Sequence, residues 1–398
     1  MNQRMLLRAT GPVRANQLAM LSQTLNDSGA RLLDINQQVT LGQTVLEALI
    51  VCDERPSPQV MGEATGLEIS LYDIDQPTYE HWQGLHQSPK LIMTLMAAQL
   101  PTDLLAQMDR WIGEQGLVIE RLQRLSGPSS LVERAPVEGV CLEYQLRGDA
   151  IDLAALRQTL LTLGAELGVD ITLQEDSPWR HQRRLVCFDM DSTLIKAEVI
   201  DELARRHGVY EAVAAITERA MRGEIDFQQS FRERMAMLNG LSESVLEEVA
   251  EGLELMDGLE RLMAGLKQRG YRTAILSGGF TYFARYLQKR LGFDEIHANE
   301  LVIENGVVTG EVHLPIVDAE RKAVLLGEIA SRHGIALEQT LAVGDGANDL
   351  KMLAAAGLGV AFHAKPLVRE KARMSLSILG LDAILYLLGH DARRRMQG

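Results

Sequence analysis

The stretch Leu185-Val186-Cys187-Phe188-Asp189-Met190-Asp191-Ser192-Thr193-Leu194 decides how this chain folds. Its four leading apolar residues read as a buried strand. The strand stops at one carboxylate, Asp189, and a second, Asp191, follows two positions on. Two acids at the C-terminal tip of a buried strand stand where open α/β sheets bind ligands. Their like charges repel, and desolvation adds to the cost. A divalent cation offsets both penalties, and hard carboxylate oxygens suit Mg²⁺. A lone Asp-x-Asp is most often a solvated loop. Here a core strand precedes it, and two more strand-end motifs lie downstream.

Toward the C-terminus, residues 198–259 carry apolar residues at helical spacing in four runs, 199–207, 210–222, 227–238 and 242–252. Gly208, Gly223 and Gly240 punctuate them, and the whole reads as a helical cap inserted after the first strand. A strand at 271–276 then ends in Ser277-Gly278-Gly279. Asn305-Gly306 between two apolar runs signals a hairpin. A helix at 321–333 carries Lys322 near its start, and a strand at 340–343 ends in Gly344-Asp345-Gly346-Ala347-Asn348-Asp349. Strands alternate with helices, so the fold class is α/β with a doubly wound parallel sheet.

Three strand ends thus carry polar groups to one edge of that sheet: Asp189 with Asp191, Ser277 with Gly278, and Asp345 with Asn348 and Asp349. Taken singly, Ser277 is a turn residue, Lys322 a solvated helix charge and Asp345-Gly346 a common turn. Together they supply paired acids, a metal-binding acid, a hydroxyl beside backbone N–H groups and a cation. That set fits phosphoryl transfer through a covalent aspartyl-phosphate. Asp189, the strand-tip acid, is expected to attack phosphorus. Asp191 is expected to protonate the leaving oxygen and later to deprotonate water. Mg²⁺ is expected among Asp189, Asp191 and Asp345, with the Met190 carbonyl as a further ligand. Ser277, the Gly278 N–H and Lys322 would bind the phosphoryl oxygens, and Asn348 and Asp349 would orient the metal surroundings or the substrate.

The motifs Asp189-Met190-Asp191-Ser192-Thr193, Ser277-Gly278-Gly279-Phe280, Lys322 and Gly344-Asp345-Gly346-Ala347-Asn348-Asp349 resemble the signature of the haloacid dehalogenase-like phosphohydrolases, in which the first Asp is the nucleophile. Within that superfamily they are similar to the phosphoserine phosphatase family, as are the cap stretches Glu198-Val199-Ile200-Asp201-Glu202 and Ala220-Met221-Arg222-Gly223-Glu224-Ile225-Asp226-Phe227. The resemblance covers roughly 185–388. It implies Mg²⁺-dependent hydrolysis of O-phosphoserine, with Glu198 on the ammonium, Arg234 on the carboxylate, and Met221 and Phe227 closing the pocket against water. Alternatives are a phosphotransferase of the same superfamily, another small-metabolite phosphatase, or a catalytically silent amino-acid sensor.

Ahead of this domain, residues 5–72 read as β-α-β-β-α-β, the ferredoxin-like order. Asn16 is a candidate cap for its first helix, and its second helix is barely two turns. A polar stretch at 75–89 with Pro77 and Pro89 reads as a linker. The pattern then restarts and runs to about residue 176. The domains expected are therefore 1–75, 88–176 and 183–398. The first module resembles the ACT domain, a small regulatory module that often binds amino acids. It departs from that pattern at Val13 and at Ala15 or Asn16, and the second module has Ala98-Gln99-Leu100-Pro101 with no glycine. Packing and dimerisation are the roles expected of both. A chain begun near Ser177 is expected to keep the metal site and some activity, and to lose the dimer and any regulation by amino acids.

Composition narrows the partners. A chain of 398 residues makes two or three domains, and 46% hydrophobic with 24% charged residues is ordinary for a globular protein. A formal net charge of −14 disfavours nucleic acid and anionic membrane. Cys52, Cys141 and Cys187 lie far apart and read as small core residues in a reducing compartment. No apolar region follows the N-terminus in the manner of a signal peptide. A cytoplasmic homodimer, built through the N-terminal modules, is the expectation.

Overall fold

Residues 3–127, 139–148 and 152–390 are described by a computed structural model. The chain divides into two units, residues 1–88 and 89–398. The first contains β1 (Gln3–Pro12), α1 (Gln17–Asp27), β2 (Arg31–Thr40), β3 (Gln43–Cys52), α2 (Pro58–Thr65) and β4 (Glu68–Asp73). Its antiparallel sheet runs in the order β2-β3-β1-β4. Alternate residues of β1, namely Met5, Leu7 and Ala9, face a core completed by Leu21, Leu25 and Met61. The short α2 holds because Pro58 sits in its first turn and Ser57 accepts the Val60 N–H. Asn16 takes a left-handed φ of 67° without capping α1 by its side chain. Gln17 ties this corner instead, donating to the carbonyls of Pro12 and Thr65 at 3.0 and 3.1 Å.

The stretch expected as a linker is a helix, α3 (Gln76–Gln87), with Asp75 accepting the Thr78 N–H at 2.8 Å. It buries none of its residues.

The second unit opens with a repeat of the same order: β5 (Lys90–Ala97), α4 (Thr102–Glu114), β6 (Val118–Arg124), β7 (Val140–Arg147), α5 (Leu153–Leu167) and β8 (Asp170–Glu175). Its sheet runs β6-β7-β5-β8. This module is grown onto the remainder of its unit. Met96, Leu125 and Cys141 share one apolar core with Phe188, Leu381 and Leu388. Arg180 pairs with Glu143, and both side chains are buried. The Asp170 carboxylate accepts the Ser377 and Ile378 N–H groups at 2.7 and 2.8 Å.

The rest of the unit is a six-stranded parallel sheet, flanked by helices. It comprises β9 (Leu185–Phe188), β10 (Arg272–Phe280), β11 (Glu295–Asn299), then β14 (Thr340–Gly344), β15 (Leu358–Phe362) and β16 (Met374–Leu376), after the hairpin β12 (Leu301–Glu304) and β13 (Val307–Val312). The order is β11-β10-β9-β14-β15-β16, with every pair parallel. The chain leaves β9 toward β10 and β11, then crosses back to β14, so the direction of winding reverses beside β9. Between β9 and β10 stand the cap helices α6 (Val199–His207), α7 (Tyr210–Met221), α8 (Phe227–Met237) and α9 (Ser244–Glu251), then α10 (Leu259–Gln268). The hairpin joins the cap: Val308 exchanges backbone hydrogen bonds of 2.9 Å with Gly240 and Leu241. Its turn uses left-handed Asn305 and Gly306, at φ 53° and 76°. Among the described residues no helix is long and apolar enough to cross a membrane. Cys52, Cys141 and Cys187 are all buried and free.

Candidate active site

β9 lies between β10 and β14 with Phe188 level with Ile275 on one side and Val343 on the other. The three strands therefore deliver Asp189, Ser277 and Asp345 to one edge. The Asp189 N–H donates to the Val343 carbonyl at 2.9 Å, fixing the height of that carboxylate. β10 extends further than the apolar run alone indicates, through Phe280, with a register shift after Leu276 that swings Ser277 to Gly279 across the site.

Lys322 enters from the first turn of α11 (Ala319–Arg332), which Asp318 caps by accepting the Arg321 N–H. Its side chain is 0% exposed, and its Nζ donates to Asp189 Oδ1 at 2.6 Å and Asp349 Oδ1 at 2.8 Å. Asp189, Asp345 and Asp349 bring one oxygen each to within 4.8 Å of one another. Thr193, expected only as part of the motif, donates to Asp345 at 3.2 Å. Asp191 stands outside this group, because its Oδ1 accepts the Val199 N–H at the start of α6, at 2.9 Å. The structure thus groups Asp349, rather than Asp191, with Asp189 and Asp345. The Met190 carbonyl, expected to face a metal, accepts the N–H groups of Thr193, Leu194 and Ile195 within the turn.

The electrostatics are those of a site short of positive charge. Burial pushes the Asp189 carboxyl well above the usual range; Asp349 adds to this and Lys322 opposes it. Burial and then Glu198 push Asp191 up to about 7. Burial and then Asp349 raise Asp345 to about 6. Burial works against the Lys322 charge, yet Asp189 and Asp349 outweigh it and hold the ammonium above its ordinary range. Three clustered carboxylates against one ammonium, all oxygen donors, fit a hard divalent cation such as Mg²⁺.

Above this floor is a cavity of about 170 Å³. Asp189, Asp191, Gly278, Asp345 and Asn348 line its floor, and Glu198, Phe227, Phe231 and Arg234 line it from the cap. Glu198 accepts the Ser192 hydroxyl at 2.9 Å. Arg234, on α8, has a buried Nε with no hydrogen-bond partner. Burial lowers its pKa, with Glu198 and Asp201 opposing. Phe227 stacks on Phe231, at 6.1 Å between centroids, and Phe231 meets Phe280 at the same spacing. A Cβ at Gly279 would lie 2.4 Å from Asp191 Oδ2, so any side chain there would displace that carboxylate. Ser277 is fully buried, and its Oγ accepts the Gly279 N–H at 2.8 Å, leaving its own proton to donate elsewhere. Met221 ends α7, and its side chain lies outside the described residues.

Phe231, Phe280 and Lys365 also line the cavity, although no sequence pattern assigns them a role there. Phe231 follows Phe227 by one helical turn, and Lys365 follows the end of β15 on the same sheet edge, so both had a positional signal.

Comparison with known proteins converges on one family. The haloacid dehalogenase-like hydrolase model matches residues 186–354. The phosphoserine phosphatase of Streptomyces coelicolor is 39% identical over 390 residues, covering 97% of this chain and 92% of that protein. The phosphoserine phosphatase of Mycobacterium tuberculosis is 36% identical, covering 96% and 92%. The crystal structure of a probable phosphoserine phosphatase from Vibrio cholerae, in unliganded form, is similar with a TM-score of 0.60 at 33% identity, over 76% of this chain and 87% of that one. The chain belongs to the phosphoserine phosphatase family of the haloacid dehalogenase-like hydrolases.

Proposed function

We propose that the protein hydrolyses O-phospho-L-serine to L-serine and phosphate through a phosphoryl group carried on Asp189, with Mg²⁺ held among Asp189, Asp345 and Asp349. The observation that carries this reading is the two-sided chemistry of the cavity. Its floor holds the acids, beside buried Lys322; its cap side holds Glu198 and an arginine with an unpartnered buried Nε. O-phosphoserine has a phosphate for the floor, and an ammonium and a carboxylate for the cap. Glu198 takes the ammonium and Arg234 the carboxylate, for which a guanidinium fork is suited.

The Asp189 carboxylate attacks phosphorus as the P–O ester bond breaks, and Asp191 gives its proton to the departing serine oxygen. Asp191 then takes a proton from water, whose oxygen attacks phosphorus and releases Asp189. A carboxyl near 7 suits both directions of that transfer. When bound, the ion neutralises repulsion between Asp189 and the phosphoryl oxygens. Ser277, the Gly278 N–H and Lys322 hold those oxygens, with Lys322 kept in place by Asp349. Asn348 orients substrate from the floor, and Phe227, Phe231 and Phe280 exclude water.

This reaction is the last step of phosphorylated serine biosynthesis. A cytoplasmic location fits the three free, buried cysteines. A homodimer fits β2, an edge strand whose Leu32, Ile35 and Val39 are exposed. Phosphate release from O-phosphoserine and from a phosphomonoester lacking the amino-acid head, with and without Mg²⁺, tests the activity. Arg234→Ala is expected to raise KM for O-phosphoserine by roughly thirtyfold or more, since losing one partner of a desolvated ion pair costs about 2–5 kcal/mol. KM for the simpler ester is expected to hold. Equal losses on both substrates would assign Arg234 to the scaffold.

A further inference from the structure

The sheet edge opposite the active site carries a second cavity. β9, β10 and β14 begin level with one another, Leu185 pairing with Arg272 and with Thr340. At those starts lies a cavity of about 570 Å³. Arg183, Arg184, Arg269 and Arg272 line it together with three histidines, and no Asp or Glu is among its lining residues. On a chain of net charge −14 that concentration of cations needs a cause.

Structural pairing does not supply it. Among the described residues no carboxylate lies in ion-pair range of Arg183, Arg184 or Arg269. Among the described residues, the Arg183 and Arg269 side chains donate to neutral carbonyls alone, of Arg180 at 3.3 Å and Gly265 at 2.9 Å. Arg183 is 7% exposed, and its Nε has no hydrogen-bond partner. Glu295 reaches Arg272 at 3.9 Å, but it is shared with Arg332 at 3.0 Å and with the His333 ring at 2.8 Å. The neighbourhood repels protons: burial, then Arg269, His181 and Arg180, drive His390 down to about 4. Arg183, a buried cation without a counter-charge, is costly to hold there. Guanidinium forks facing one cavity match the oxygens of a phosphate group.

We propose that this cavity binds a small phosphate-type oxyanion, either free phosphate or a phosphate carried on a small molecule, at a site separate from the reaction centre. Calorimetric titration of the full-length, metal-free chain with inorganic phosphate and with pyrophosphate, at constant ionic strength, tests it. Saturable binding is expected, weakened about tenfold for each guanidinium removed in Arg184→Gln and Arg184→Gln/Arg272→Gln. Turnover of O-phosphoserine with Mg²⁺ is expected to be unchanged in both variants. Comparable affinity for the two probes assigns free phosphate. Much tighter pyrophosphate assigns a larger phosphorylated ligand. Absence of binding by the wild type, or equal affinity in wild type and variants, overturns the proposal. If the double variant does not fold, competition in the wild type decides: displacement of the probe by O-phosphoserine places it in the active site and overturns the proposal, and retention supports it.

Discussion

Asp189 sits at a buried crossing of three charges, and its replacement separates chemistry from folding. Asparagine is nearly the same size but is a poor nucleophile. Asp189→Asn is expected to lower phosphate release by roughly 10⁴-fold or more, as loss of a nucleophile does elsewhere. The fold should survive, because the change removes one of three crowded carboxylates while Lys322 keeps Asp349 at 2.8 Å. Without metal, the variant is expected to unfold at or above the wild-type temperature; turnover like that of the wild type would sink the nucleophile assignment. Much of this was readable from the chain: a buried strand ending in acids, a lysine opening a helix, a glycine-rich strand end. Which carboxylate oxygens lie nearest one another was not. Whether Asp191 or Asp349 joins the cluster depends on the Val199 N–H, which takes Asp191, and on Gly344, where a Cβ would lie 2.4 Å from Asp349 Cγ. Neither contact leaves a trace in residue spacing.

Elements were legible where a face is buried. The cap helices and the Asn305-Gly306 hairpin follow from apolar spacing and turn chemistry. α3 escapes a reading by periodicity because its apolar stripe is short, only the half-buried Tyr79, Trp82 and Leu85, and Pro77 falls in its first turn, where proline is tolerated. Between elements, the join of β7 to the segment before β9 rests on Glu143 and Arg180, with side chains each 3% exposed. Glu143 also accepts Gln123 Nε2 at 3.0 Å. Glu143→Gln leaves the Arg180 charge buried and unpaired, and is expected to cost about 3–5 kcal/mol in urea unfolding. The Glu143→Leu/Arg180→Leu pair should recover most of that loss, since burying neither charge removes the desolvation penalty. A single variant within experimental error of the wild type would show that water reaches the pair.

At the scale of the whole chain, the two N-terminal modules look equivalent in sequence but differ in attachment. The contacts that tie the second to the catalytic sheet, Glu143 with Arg180, Asp170 with Ser377 and Ile378, and Gln174 with Leu387, link residues far apart in the chain, so no local pattern announces them. A cut near Ser177 strands Arg180 without its acid and the Ser377 and Ile378 N–H groups without their acceptor. It also opens the shared core at Met96, Leu125 and Cys141. A cut after Ser88 falls between the two units. The fragment 89–398 is therefore expected to fold and to hydrolyse O-phosphoserine with kcat near that of the full chain, and the fragment 177–398 to be unstable or aggregated. If the exposed edge at β2 joins two copies, light scattering should give a dimer for the full chain and a smaller species for 89–398, which lacks that strand. A stable, active 177–398 fragment would show that the second module merely rests on the catalytic domain; a dimeric 89–398 fragment would move the interface away from β2.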